Sequence, residues 1–289
     1  MTKRAKSDVP RKKINPFSSA EMKIIRSDLI HLWNQHGMRI FFILLPFIMA
    51  VVIPVAFFVV ITLSDTGSVS AVPKALLILL SDSAENLDYR QLMSHAFVSL
   101  ICPIFYLCIP VISSVVAASS SFVTESENGT LETLMLSSVS PREIYNAKVA
   151  GSVILSVFVS LISFIAFAIT ASVGNVILWT PFFFSPSWLI LLLGLMPALS
   201  VFCVLMVSLK LSKIHTVKES LKTMGYFILL IVVFYLLQMA GVYVITAQLL
   251  LILSLLLIIL DIVLFNLSRR RFTPEEQLLK EFRFSQEEH

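Results

Sequence analysis

Long apolar blocks alternate with short polar ones along this chain. Ile40–Leu63 is uncharged for 24 residues, against roughly 20 needed for a helix to cross the hydrocarbon of a bilayer. Gln91–Thr124 holds no Asp, Glu, Lys or Arg, and neither does Val149–Leu209. The second of these stretches has 61 residues, too many for one span and enough for two. Its break is signalled by Gly174-Asn175, Pro181 and Pro186. A further pair starts at Thr223, with a tight turn after Gly241. The pattern predicts six spans near 40–63, 94–118, 149–173, 188–209, 223–243 and 247–267. Pro46 and Pro54 are expected to bend the first, and Pro103 and Pro110 to interrupt the second.

The polar segments divide the rest. Residues 1–39 form a basic tail followed by a helix: Ser18-Ser19-Ala20-Glu21 fits a capping box. Met22, Ile25, Leu29, Leu32 and Trp33 then share one face, which predicts an amphipathic helix lying along the interface. Residues 64–93 are too polar to cross and read as an external loop with a short helix near Ala75–Leu80. The six-span domain covers 40–268, and 269–289 forms a C-terminal helix and tail, where Thr273-Pro274-Glu275-Glu276 again fits a capping box. The expected fold class is an all-α integral membrane protein. It has six transmembrane helices, an N-terminal amphipathic interfacial helix and a cytoplasmic helix between spans two and three.

Composition agrees with the pattern. The chain is 57% hydrophobic and 14% charged, where a soluble domain carries about 25% charged residues. Of 22 Lys and Arg, 20 fall in the N-terminal segment, the central loop, the 210–222 loop and the C-terminal tail. Only Lys74 and Arg90 fall in the opposite loops. The positive-inside rule therefore predicts that both termini and the central loop are cytoplasmic, with the N-terminus uncleaved. Cys102, Cys108 and Cys203 lie inside apolar runs, as buried small residues rather than a disulfide framework.

The central loop, Phe122–Lys148, is the one long polar insertion between two apolar walls. Asn128-Gly129 signals a turn. Thr130 can cap a two-turn helix in which Leu131, Leu134 and Met135 stand at i, i+3 and i+4, with Glu132 in the first turn where it suits the helix dipole. So short a helix needs a partner for its apolar face. Ser140-Pro141-Arg142-Glu143 then caps a return helix running through Tyr145 and Lys148 into the third span.

At these residues the chain resembles the membrane-spanning subunits of ATP-binding cassette (ABC) transporters of the type-2 permease class. Their loop typically reads E-x-G-T-L-E-x-L, then a Ser/Pro-rich stretch, an acidic-aliphatic pair and G-K. Glu127, Gly129, Thr130, Leu131, Glu132 and Leu134 match the first part, and Ser140, Glu143, Ile144 and Lys148 the second. Ala147 stands where the family often has Gly, and Pro141 is displaced. The resemblance implies that Glu127–Leu136, including Met135, is a coupling helix docking on a separate nucleotide-binding ABC ATPase. It also implies export across a bacterial plasma membrane, by two copies or one copy with a homologous permease. The chain has no G-x-x-x-x-G-K-[ST] phosphate loop, so it is not itself an enzyme, and ATP with its magnesium would be bound by the partner.

No residue set has catalytic or metal-ligand spacing, and nothing points to nucleic acid. Membrane lipid is the other expected partner. Asp261 is the only acidic residue within an uncharged span, which makes it a default functional candidate. Pairing with a Lys or Arg near the inner interface is the plainer reading. Gln238 and Gln248 can bond between helices or line a cavity. His95 sits at the outer rim, and Phe182-Phe183-Phe184 reads as lipid-facing or interfacial. An amphipathic peptide, a lipid-like molecule or a drug suits the uncharged spans as cargo. Ion extrusion of the sodium type, and an ATPase-independent carrier using Asp261, stand as alternatives.

Overall fold

The computed structural model describes residues 22–23, 25–27, 30, 36–63, 87–123, 141–210, 217–240 and 246–271, all in helices or their short connections. No strand occurs among them. Helix α1 runs from His36–Phe47 through Ile48–Val52 into Ile53–Leu63, and α2 runs from Tyr89–Ala96 through Phe97–Ile101 and Cys102–Ala118 into Ser119–Val123. Helix α3 is Pro141–Leu178, and α4 joins Pro186–Ile190, Leu191–Leu195 and Met196–Lys210. Helices α5 and α6 are Val217–Met239 and Ala247–Arg271. Five of the six are long and apolar enough to cross a membrane, while the apolar part of α5 is the shorter stretch Met224–Gln238. The short external helix 75–80, the turn after Gly241, the capping boxes at 18–21 and 273–276 and the whole of 124–140 lie outside the described residues.

The prolines do not interrupt the helices as the sequence pattern suggests. Ile48–Val52, Phe97–Ile101 and Leu191–Leu195 are π-turns, each ending two residues before a proline: Pro54, Pro103 and Pro197. The residue before each proline donates its N–H five residues back, Ile53 to Ile48 O, Cys102 to Phe97 O and Met196 to Leu191 O. A proline ring clashes with the carbonyl four residues earlier and offers it no N–H. A widened turn moves that carbonyl aside and keeps the neighbouring backbone groups bonded inside the segment, which hydrocarbon requires. Pro110 needs no such turn and sits inside the α-helical part of α2.

Helix α2 is the axis of the bundle. From Cys102 to Val123 every residue except Ile104 and Phe105 is buried. Helices α3, α4 and α5 pack around it, with α1 against α2 and α3, and α6 on the far side of α4. Small residues set the closest approaches. Ser113 of α2, Ser156 of α3 and Ser200 of α4 are buried and joined through their hydroxyls, Ser113 to Ser156 at 2.8 Å and Ser156 to Ser200 at 3.1 Å. With lipid tails as apolar as leucine, such close packing and interhelical hydrogen bonding hold the helices together. Gly194 of α4 lies against Ser254 of α6, where an added Cβ would stand 3.2 Å from the serine.

The end of α3 corrects two expectations. Gly174-Asn175 does not break the helix, which continues to Leu178. Gly174 is instead a contact: the Phe58 ring of α1 occupies the space of its missing Cβ, 2.5 Å away. The helix ends at Trp179, whose φ of 56° is the left-handed conformation that closes a Schellman motif. Thr180 N–H donates to Asn175 O at 3.0 Å and Trp179 N–H to Val176 O at 3.4 Å. Gln91 Nε2, at the start of α2, donates to Leu178 O at 3.2 Å and Trp179 O at 3.3 Å. The phenylalanine triplet divides. Phe182 and Phe184 are exposed, but Phe183 is buried against Phe167 and Trp188, in an aromatic cluster with Tyr106 and Phe164. All three cysteines are buried and free.

Candidate functional site

The residues expected to dock a partner, Glu127, Gly129, Thr130, Leu131, Glu132, Leu134 and Met135, lie outside the described residues. The two stems that carry them, the end of α2 and the start of α3, are described. The polar run Ser119-Ser120-Ser121 does not leave the membrane domain as a loop. It forms a π-turn with Phe122 and Val123, and all five residues are buried.

Lys148 closes the stems. Its side chain is fully buried, and its Nζ donates to Ser121 O at 3.0 Å. Ser121 lies in the buried π-turn Ser119–Val123 of α2. The carbonyl gives the buried ammonium a hydrogen-bond acceptor, without which burial of the charge would be costly. Lys148 thus fastens the outgoing chain to the returning one just inside the loop.

Tyr145, one turn nearer the loop, is also fully buried. Its hydroxyl donates to Ser268 Oγ of α6 at 2.6 Å and shares a 3.1 Å hydrogen bond with Ser208 Oγ of α4. Ser208 and Ser268 are themselves 2.9 Å apart, which closes a triangle of hydroxyls. The ring lies between Phe122 of α2 and Phe265 of α6, at centroid distances of 6.0 and 6.2 Å. One side chain in the first turns of α3 therefore touches the ends of α2, α4 and α6.

The N-terminal helix reaches the same stem. Ile25 is buried against Gly151 of α3, 3.9 Å from the position of an added Cβ. Met22, assigned by pattern to the same apolar face, is exposed, as is Ile30.

The polar residues within the spans do not form one site. Gln238, near the end of α5, is buried with its Oε1 unpartnered among the described residues, while Gln248, at the start of α6, is exposed. Asp261 lies 13 residues further along α6 than Gln248, about 20 Å at 1.5 Å per residue. It is buried, and among the described residues its Oδ1 has no hydrogen-bond partner and no Lys or Arg pairs with it. His95 is half-buried, with Nε2 at 3.5 Å from Ser99 Oγ.

Sequence reasoning placed Tyr145 and Lys148 in the return helix but not as its fastenings. The hydroxyl partners Ser208 and Ser268 carried no signal at all, since single serines in apolar helices are common. Serines at 152, 156 and 160, four apart on α3, were the legible hint of a polar packing face.

The family model described as "ABC-2 family transporter protein" matches residues 60–218, more than half of the chain. The match takes in α2, the central loop, α3 and α4, and ends before α6. No curated protein and no solved structure matches.

Proposed function

The chain belongs to the ABC-2 family of transporter membrane proteins, and on that premise we propose that it is the permease subunit of an ATP-driven exporter. Two copies, or one copy and a homologous permease, enclose the pathway. Separate ATPase subunits grip the 127–136 segment from the cytoplasm. The observation that carries this reading is the construction of the loop's base. The stem of α2 is locked to the stem of α3 by Lys148, and α3 to α4 and α6 by Tyr145. A short helix held on such stems is a rigid lever, suited to passing the closure of an ATPase into the spans. The N-terminal interfacial helix, seated on α3 through Ile25, supplies a second contact.

Orientation follows from charge. The ends of α2, α4 and α6 and the start of α3 meet around Tyr145, and Lys210 and Arg269–Arg271 lie at this same end. By the positive-inside rule this end is cytoplasmic, and with it both termini. An ATPase-independent carrier, which calls for a relay of ionisable groups at depth, is less well served. Asp261 stands 13 residues along α6 from Gln248.

The test is to purify the tagged protein from its own membranes in mild detergent, as wild type and as Glu127→Ala/Glu132→Ala. The wild type is expected to carry a stoichiometric soluble ATPase and the double variant to lose it. Recovery of a folded wild-type protein without any ATPase overturns the reading. Full ATPase association and transport by the double variant removes those two carboxylates from the docking site.

A further inference from the structure

A cavity of about 430 Å³ lies between α4 and α6, adjoining the base of the loop through Phe265, which lines it and packs on Tyr145. Leu193 and Val201 of α4 and Ile258 and Ile262 of α6 give it apolar walls, and Asp261 and Asn266 supply its charged and polar groups. Its mouth opens on the surface of the bundle, where Leu193, Ile258 and Ile262 are exposed. Asp261 is 7% exposed, and its Oδ1 has no hydrogen-bond partner among the described residues. A carboxyl group so far from water carries its negative charge only when a cation pairs with it, and is otherwise neutral.

The chemistry of the walls selects the countercharge. An anion is repelled. A hard metal cation takes six or more oxygen ligands, and one carboxylate with one amide does not provide them. The volume lies within the 300–1,000 Å³ range of small-molecule sites, which are mostly apolar with a few placed polar groups. We infer that the α4–α6 cavity binds a lipophilic monovalent ammonium ligand, its charge paired with Asp261 and its hydrocarbon body against the apolar walls. The ligand enters from the bilayer, through the exposed aliphatic mouth. This site stands independently of ATPase coupling, because binding is a property of the permease chain alone.

The probe is tritiated 1-adamantylamine, a compact hydrocarbon cage carrying one ammonium, with 1-adamantanol as its uncharged counterpart. Binding is measured on the full chain in nanodiscs of zwitterionic lipid. Saturable binding of the amine is expected, weakened at least about tenfold by Asp261→Asn, the scale on which a buried charge loses its partner. The alcohol should compete poorly on the wild type and be indifferent to Asp261→Asn. Val201→Phe fills the cavity and leaves the carboxylate in place, so it should also abolish binding. It decides the matter if Asp261→Asn does not fold. Absence of amine binding by the wild type, equal binding by both variants, or equal competition by the alcohol overturns the proposal. So does displacement of the amine by sodium chloride but not by choline chloride, which would mark a metal-ion site instead.

Discussion

Tyr145→Phe removes one oxygen atom from the base of the loop and leaves the ring. The ring contacts with Phe122 and Phe265 persist, and Ser208 and Ser268 keep their own 2.9 Å hydrogen bond. What is lost is the donation to Ser268 at 2.6 Å and the 3.1 Å bond shared with Ser208. Interhelical hydrogen bonds in membrane proteins average about 0.6 kcal/mol and reach about 1.7, so two of them amount to about 1–2 kcal/mol. Tyr145→Ala would also open a cavity and cost about 3–5 kcal/mol, which obscures the polar contribution. The assay is reversible unfolding in mixed micelles, run as a double-mutant cycle of Tyr145→Phe with Ser268→Ala. A coupling energy of about 0.5–1.5 kcal/mol is expected, because the two groups touch. Reconstituted with its ATPase, Tyr145→Phe should keep partner binding while transport-linked hydrolysis falls. Zero coupling between the two positions, or a variant as stable as the wild type, refutes the assignment of Tyr145 as the fastening between α3 and α6.

Three other substitutions probe the frame around this site. Gly174→Ala places a methyl where the Phe58 ring lies 2.5 Å away. Overpacking of this kind should lower stability by about 1–3 kcal/mol, with recovery in Gly174→Ala/Phe58→Leu, and no loss in the single variant would contradict the close approach of α1 and α3. Lys148→Met keeps the aliphatic bulk but loses the charge-assisted bond to Ser121 O, so a loss of about 1.5–3 kcal/mol is expected in the same unfolding assay. Trp179 is 86% exposed and holds φ at 56°, a conformation glycine adopts freely. Trp179→Gly should therefore raise stability by about 0.5–1 kcal/mol, and a marked drop would show that the indole makes a contact beyond its backbone role.

The membrane class of the protein was legible from hydropathy alone, because bilayer thickness converts directly into residue count. The return helix through Tyr145 and Lys148 was equally legible, since Pro141 and Glu143 are local signals that suit the first turn of a helix. Membership of the ABC-2 family was legible from the resemblance of Glu127–Leu134 and Ser140–Lys148 to type-2 permeases. Helix ends were read less well. Pro103 looked like an interruption and Gly174 like a stop, because each residue's local tendency points that way. A π-turn absorbs the proline, and an aromatic ring from α1 explains the glycine.

Sequence by itself determined what this chain must bury in lipid and which family it joins. Those properties depend on composition, spacing and motif, each confined to one segment. Only the tertiary structure decided that Tyr145 meets Ser208 and Ser268, 63 and 123 residues away, that Lys148 reaches back to Ser121, and that Asp261 lines a cavity without a basic partner among the described residues. Such pairings depend on which faces of the helices come together. In a bilayer those faces are chosen by close packing of small residues and scattered hydroxyls, and a stripe of hydropathy does not reveal them.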